Sequence, residues 1–134
     1  MKYEIIPVDK VKKYRKYFNP EDFWIKIKKN VKALGKEMLY FVLLLFYTLK
    51  DPKTPMKHKI LIGGALGYLI FPLDFIPDAV PIIGFSDDFA AIMTVYKSIK
   101  ASITEENKLL ARNKANELFD KDRKLNVSGN RKPL

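Results

Sequence analysis

Met38-Leu39-Tyr40-Phe41-Val42-Leu43-Leu44-Leu45-Phe46-Tyr47-Thr48-Leu49 contains no charged residue and no helix breaker. Going back to Trp24, apolar residues recur at spacings of three and four: Trp24, Ile27, Val31, Leu34, Met38, Val42, Leu45 and Leu49. That period predicts a helix rather than a strand. Lys28, Lys29, Lys32 and Lys36 occupy much of the opposite side of its first half, so the helix begins amphipathic and basic and ends apolar on nearly all sides. Upstream, Asn19-Pro20-Glu21-Asp22 supplies a cap, a proline at the first helical position and two acids facing the dipole. Gly35 marks a bend. The predicted helix runs from here to about Leu49.

Further along, Lys50-Asp51-Pro52-Lys53-Thr54-Pro55 ends this helix, and Thr54-Pro55 opens the next. Ile60 to Pro72 is a second uncharged run, with Gly63, Gly64 and Gly67 permitting close approach of a neighbouring helix. Residues 71–86 carry Pro72, Pro77 and Pro81 among apolar side chains, which forbids a long helix or a central strand. The backbone of such a segment must still be satisfied, so it is expected to be buried, with Asp74 and Asp78 accepting N–H bonds. Ser86-Asp87-Asp88 and Thr104-Glu105-Glu106 cap two more helices. The last has an apolar stripe of Leu110, Ala111, Ala115, Leu118 and Phe119. The fold class is all-α: a small irregular bundle or hairpin of four to five helices with a buried Pro/Asp-rich connection. Residues 1–18 are read as a basic lead-in, 19–123 as one helical domain and 124–134 as a flexible tail.

The chain has 134 residues, no cysteine and a formal charge of +10. Disulfides, thiol catalysis and Cys-ligated zinc are excluded. No secretory signal is read, because the first apolar run begins only at Met38. The charge is uneven. Residues 1–57 hold 14 basic and 6 acidic side chains, whereas residues 58–103 hold 3 and 4. A basic N-terminal part beside an apolar centre implies an anionic partner. Lipid headgroups suit it better than nucleic acid, for which no helix-turn-helix, zinc finger or stacking sheet can be placed, so sequence-specific binding is not expected.

The motifs Asp51-Pro52-Lys53-Thr54-Pro55, Ala65-Leu66-Gly67-Tyr68, Pro72-Leu73-Asp74-Phe75-Ile76-Pro77-Asp78 and Val80-Pro81-Ile82-Ile83-Gly84-Phe85-Ser86-Asp87-Asp88 resemble the YkvA-like family, over roughly residues 40–100. Phe85-Ser86 departs slightly, since the family often follows the aromatic with a hydrophobic residue. The resemblance implies a small membrane-associated domain of unknown function; it brings no established activity and no agreed functional residues.

Two sets of side chains are candidates for function. Asp74, Asp78, Asp87 and Asp88 would repel one another if brought together and invite a hard cation, magnesium or calcium. Their spacing fits no EF-hand loop, and the first reading is structural, through caps, turns and buried ion pairs, with no cofactor expected. Trp24, Lys28, Lys29, Lys32 and Lys36 suit headgroup depth and phosphate contact. His58, the sole histidine, is read as structural or solvent-exposed rather than catalytic.

The two apolar runs, 38–49 and 60–73, also mark a candidate membrane-embedded element. As a helix the first would span about 18 Å against a hydrocarbon core of about 30 Å. Positive charge on both sides of it opposes a pair of full transmembrane helices and favours a shallow or re-entrant hairpin, with lipid covering part of the uncharged surface. The functional expectation is a non-enzymatic adaptor or scaffold on an anionic membrane, facing the cytoplasm, with itself or another membrane protein as a further partner. The alternatives are a soluble protein-interaction module and, behind it, a metal-dependent enzyme acting on a phosphate-bearing substrate. If the aspartates are structural, Asp74→Asn or Asp78→Asn lowers the melting temperature more than any activity; melts of both variants that match the parent protein would refute this.

Overall fold

The computed structural model describes the backbone of residues 13–73 and 86–128 and the side chains of residues 15–70 and 89–124. Within these the chain forms five α-helices and no strand. A 3₁₀ turn, Lys13–Tyr17, precedes helix α1 (Pro20–Lys29), α2 (Val31–Lys50), α3 (Met56–Leu73) and α4 (Ser86–Ser98). A second 3₁₀ turn, Lys100–Ser102, leads into α5 (Glu105–Ser128). The all-α expectation holds. Helical backbone continues to Ser128, past the boundary read at residue 123.

Helix α1 begins as its residues dictate. Asn19 is extended, and its Oδ1 accepts the Asp22 N–H at 3.0 Å, with Pro20 in the first turn. The expected single helix to Leu49 is interrupted, however. The Asn30 side chain donates to the Lys26 carbonyl at 2.8 Å, and its backbone N–H turns to the Ile27 carbonyl at 3.1 Å. Asparagine thus competes with the helix for its own carbonyls and ends it. One turn later Gly35 sits at φ 82°, ψ 162°, a conformation open essentially to glycine alone, and re-aims the rest of α2.

Helix α2 is the centre of the molecule. Met38, Leu39, Val42, Leu43, Leu44, Leu45 and Phe46 are all buried, which leaves almost no solvent face over these turns. A helix apolar all round must lie in a protein core or in lipid. Here α5 covers one side, and α3 and α4 the others. Ile62, Ala65, Leu66, Leu69 and Ile70 of α3 are buried, as are Ala90, Ala91, Ile92 and Val95 of α4. Both runs that the sequence marked for lipid therefore have protein cover through Ile70. A transmembrane helix, which the apolar runs 38–49 and 60–73 could have supplied, is not found: no helix among the described residues is long and apolar enough to cross a membrane.

Aromatic rings fill the flanks of α2. Phe23 and Phe46 stack at 4.7 Å, and Phe18 and Trp24 meet them edge-on. Phe41 takes Tyr40, Phe89 and Tyr96 on the other flank. The first 3₁₀ turn lies along α3, where the Arg15 stem passes so close to Gly63 that a Cβ there would stand 3.3 Å from Arg15 Cγ. On α5 the buried stripe is Asn107, Ala111, Ala115 and Leu118, with Phe119 half-buried. Leu110, expected in that stripe, is 45% exposed, because it falls about 100° around the helix from Ala111, at the edge of the face that Asn107, Ala111, Ala115 and Leu118 define.

Nothing lies within 4 Å of a Cβ built on Gly35, so Gly35→Ala meets no steric obstacle, only the backbone penalty. Its expected cost is about 1–3 kcal/mol. A denaturant titration giving parental stability would refute the kink.

Candidate functional site

The cationic residues picked out by the sequence are spread over the end of α1 and the start of α2. Lys28 and Lys29 close α1, where they complement the negative end of the helix dipole, and Lys32 and Lys36 follow on α2; all four are exposed. Ile25 lies three and four residues before Lys28 and Lys29 and is 53% exposed, which puts an apolar side chain on the lysine-bearing face. Trp24, one turn before Lys28, is largely engaged by other side chains. It is half-buried against Phe23 and Phe46, and its outer surface is covered by Lys114, whose Nζ lies 5.7 Å from the ring centroid.

Around the helix from this face, α2 and α5 diverge enough to leave an open groove of about 440 Å³. Lys36, Glu37 and Tyr40 line it from α2, and Arg112, Ala115 and Asn116 from α5. Its two cations lie over aromatic rings: Arg112 is 5.6 Å from the Tyr40 centroid, and Lys36 Nζ is 5.8 Å from that of Phe119. The sequence reading found Lys36 but not Arg112 or Asn116, since only packing brings residue 36 beside residue 112.

The turn between α2 and α3 is a clasp. Asp51 Oδ1 accepts the Lys53 N–H at 2.9 Å, an Asx-turn, and Oδ2 accepts the amide of the buried Asn107 at 3.0 Å. Thr54, also buried, donates through Oγ1 to the Thr48 carbonyl at 2.6 Å, while Thr48 Oγ1 donates to Leu44. Thr104 accepts the Asn107 N–H at 3.0 Å and so caps the helix that presents Asn107. The Asp-Pro-Lys-Thr-Pro motif thus ties α2, α3 and α5 together at one end. Close by, His58 Nδ1 lies 2.6 Å from Ser102 Oγ, joining the start of α3 to the turn before α5. A hydroxyl, not a carboxylate, is the partner of this histidine.

Of the four aspartates, Asp74 and Asp78 lie outside the described residues, as does most of the Pro-rich stretch 71–86. Asp87 and Asp88 fall in the first turn of α4, with side chains outside the described set. Among the described residues no group of three or more histidine, aspartate or glutamate side chains could hold a metal ion.

Residues 58–94 match the profile of a family described as a protein of unknown function, DUF1232. The matched span contains the Ala65–Tyr68 motif and the Pro/Asp motifs up to Asp88. The chain is also 29% identical over 79 residues to "Uncharacterized membrane protein YkvA" of Bacillus subtilis (strain 168), an alignment covering 54% of this chain and 74% of that protein. No solved structure matches.

Asp51 carries a pH dependence. The Lys53 N–H, and after it the Asn107 amide, hold its carboxyl below the ordinary aspartate range. Because the folded value is the lower one, the stabilisation is complete above the unfolded pKa, about 3.9, and disappears as pH falls through the folded value. Asp51→Asn removes this titration, so the variant's melting temperature should fall less steeply than the parent's on acidification below about pH 4. Equal slopes would contradict the clasp.

Proposed function

We propose that this chain, a YkvA-like protein, attaches peripherally to an anionic membrane surface through the cationic face of α1 and the start of α2, and acts there as a non-enzymatic adaptor. The observation that carries this reading is the set of exposed lysines 28, 29, 32 and 36 beside exposed Ile25, on a bundle whose long apolar helix is already covered by protein. Attachment of this kind needs no spanning segment. Each lysine near an anionic leaflet contributes about 1 kcal/mol, and the attraction fades within a Debye length. Ile25 adds shallow apolar insertion among the headgroups. The name of the Bacillus subtilis relative, a membrane protein, supports the location. Anionic lipid is concentrated in the cytoplasmic leaflet, which favours that side.

The alternative of a helical protein-interaction module is supported by Leu109 and Leu110 of α5, which are 54% and 45% exposed. On an adaptor they form the side turned to a protein partner. For a metal-dependent enzyme the described residues offer no ligand cluster.

Flotation with phosphatidylglycerol-rich and pure phosphatidylcholine vesicles tests the membrane reading. Binding should be confined to the anionic vesicles and be reversed by high salt. The combined variant Lys28→Gln, Lys29→Gln, Lys32→Gln should bind about a hundredfold more weakly, at about 1 kcal/mol per charge, while remaining folded and helical by circular dichroism. No flotation at low salt, or undiminished flotation of the variant, would reject the proposal.

A further inference from the structure

We propose that the groove between α2 and α5 binds a phosphoester that also carries a primary ammonium, the chemistry shared by free phosphoethanolamine and the ethanolamine phospholipid headgroup. This does not depend on the membrane reading, because a soluble compound presents the same groups.

The charges lining the groove are the first argument. Lys36, Glu37 and Arg112 border one concavity, yet none makes an ion pair with another described residue. Elsewhere on α5 basic side chains find local acids: Lys108 with Glu105 at 3.1 Å, Lys114 with Glu117 at 3.3 Å, Arg123 with Asp120 at 3.6 Å. Lys36 and Glu37 are adjacent in sequence, and adjacent helical residues diverge by about 100° and do not meet. Two cations and a carboxylate are therefore left around a space of about 440 Å³, within the range of small-ligand sites.

The aromatic rings are the second argument. Arg112 over Tyr40 and Lys36 over Phe119 are each attracted to a ring face, which keeps both charges at the groove instead of extended into water. A guanidinium so placed offers parallel N–H donors that match two phosphate oxygens, and an ammonium adds a point charge. Asn116 and the Tyr40 hydroxyl supply further donors and acceptors.

Glu37 sets the class of ligand. A bare phosphate would be drawn in by two cations and opposed by this carboxylate. A ligand that carries an ammonium beside its phosphoester turns that opposition into an ion pair. A primary ammonium gives the carboxylate N–H donors, which a quaternary ammonium lacks. The aromatic face that a quaternary group would need, Tyr40, is already taken by Arg112.

The test is an amide-resolved NMR titration of the full chain with O-phosphoethanolamine, glycerophosphoethanolamine, glycerophosphocholine and inorganic phosphate. Saturable shifts at Tyr40 and Asn116 are expected with the two ethanolamine esters, at least fivefold tighter than with the choline ester or phosphate. Preference for the diester assigns the lipid headgroup as source; preference for the monoester assigns the free compound. Lys36→Gln and Arg112→Gln, both at exposed positions, should each weaken binding about tenfold, and Glu37→Gln should erase the preference for ethanolamine. The Lys28, Lys29, Lys32 variant should bind these compounds as the parent does, so that failure of vesicle binding and failure of the groove are read separately. No saturable shift at the groove, equal affinity for phosphate alone, or selectivity retained in Glu37→Gln would overturn the proposal.

Discussion

Helix α2 has almost no side that water can face from Met38 to Phe46, and everything else is arranged around covering it. Fully burying one leucine, valine, methionine or phenylalanine stabilises a fold by about 1.5–3 kcal/mol, so seven such residues on one helix cannot be left to solvent. Two solvents can take it: hydrocarbon or protein. A length of about 18 Å is short for the first. Three helices bring the second, with α5 laid along α2 and with α3 and α4 packed around it.

Such an arrangement needs its helices held at fixed angles, and the polar residues do this work. Buried Asn107 and Thr54 would each cost about 1–3 kcal/mol if left unpaired. Both are satisfied at the turn after α2, by Asp51 and by the Thr48 carbonyl. Among the described residues no buried side-chain polar atom lacks a partner. At the opposite end of α2, Asn30 and Gly35 turn the chain so that α1 lies back over Phe46 through Phe23 and Trp24. The clasp and the kink together decide where the ends of α2 point.

Once the apolar surface is covered, what remains outside is mainly charge. The lysines of α1 and early α2 face outward because Phe23, Ile27, Val31 and Leu34 face inward. The groove beside them exists because the residues α2 and α5 place at its floor and rim, Ala115 and Tyr40 among them, do not close the gap between the helices. Surface recognition in this protein is thus a by-product of how α2 is buried.

By itself the sequence determined the helical class, the caps at Asn19 and Thr104, the break at residues 50–55, the exposed lysines and the resemblance to the YkvA-like family. Each of these is a local signal: a period, a cap residue, a proline, a charge, a motif. That α1 ends at Asn30 was not legible although the bond is local, because an asparagine in a helical period is neutral until its side chain takes a carbonyl. Only the tertiary structure turned Leu110 outward and Asn107 inward, since Asn107 is tolerable inside solely because Asp51, 56 positions away, meets it. The same holds for the cover of α2 and for the pairing of Lys36 with Arg112 across one groove. An apolar run reads alike whether lipid or protein surrounds it, and distant residues acquire a shared surface only when the helices carrying them pack.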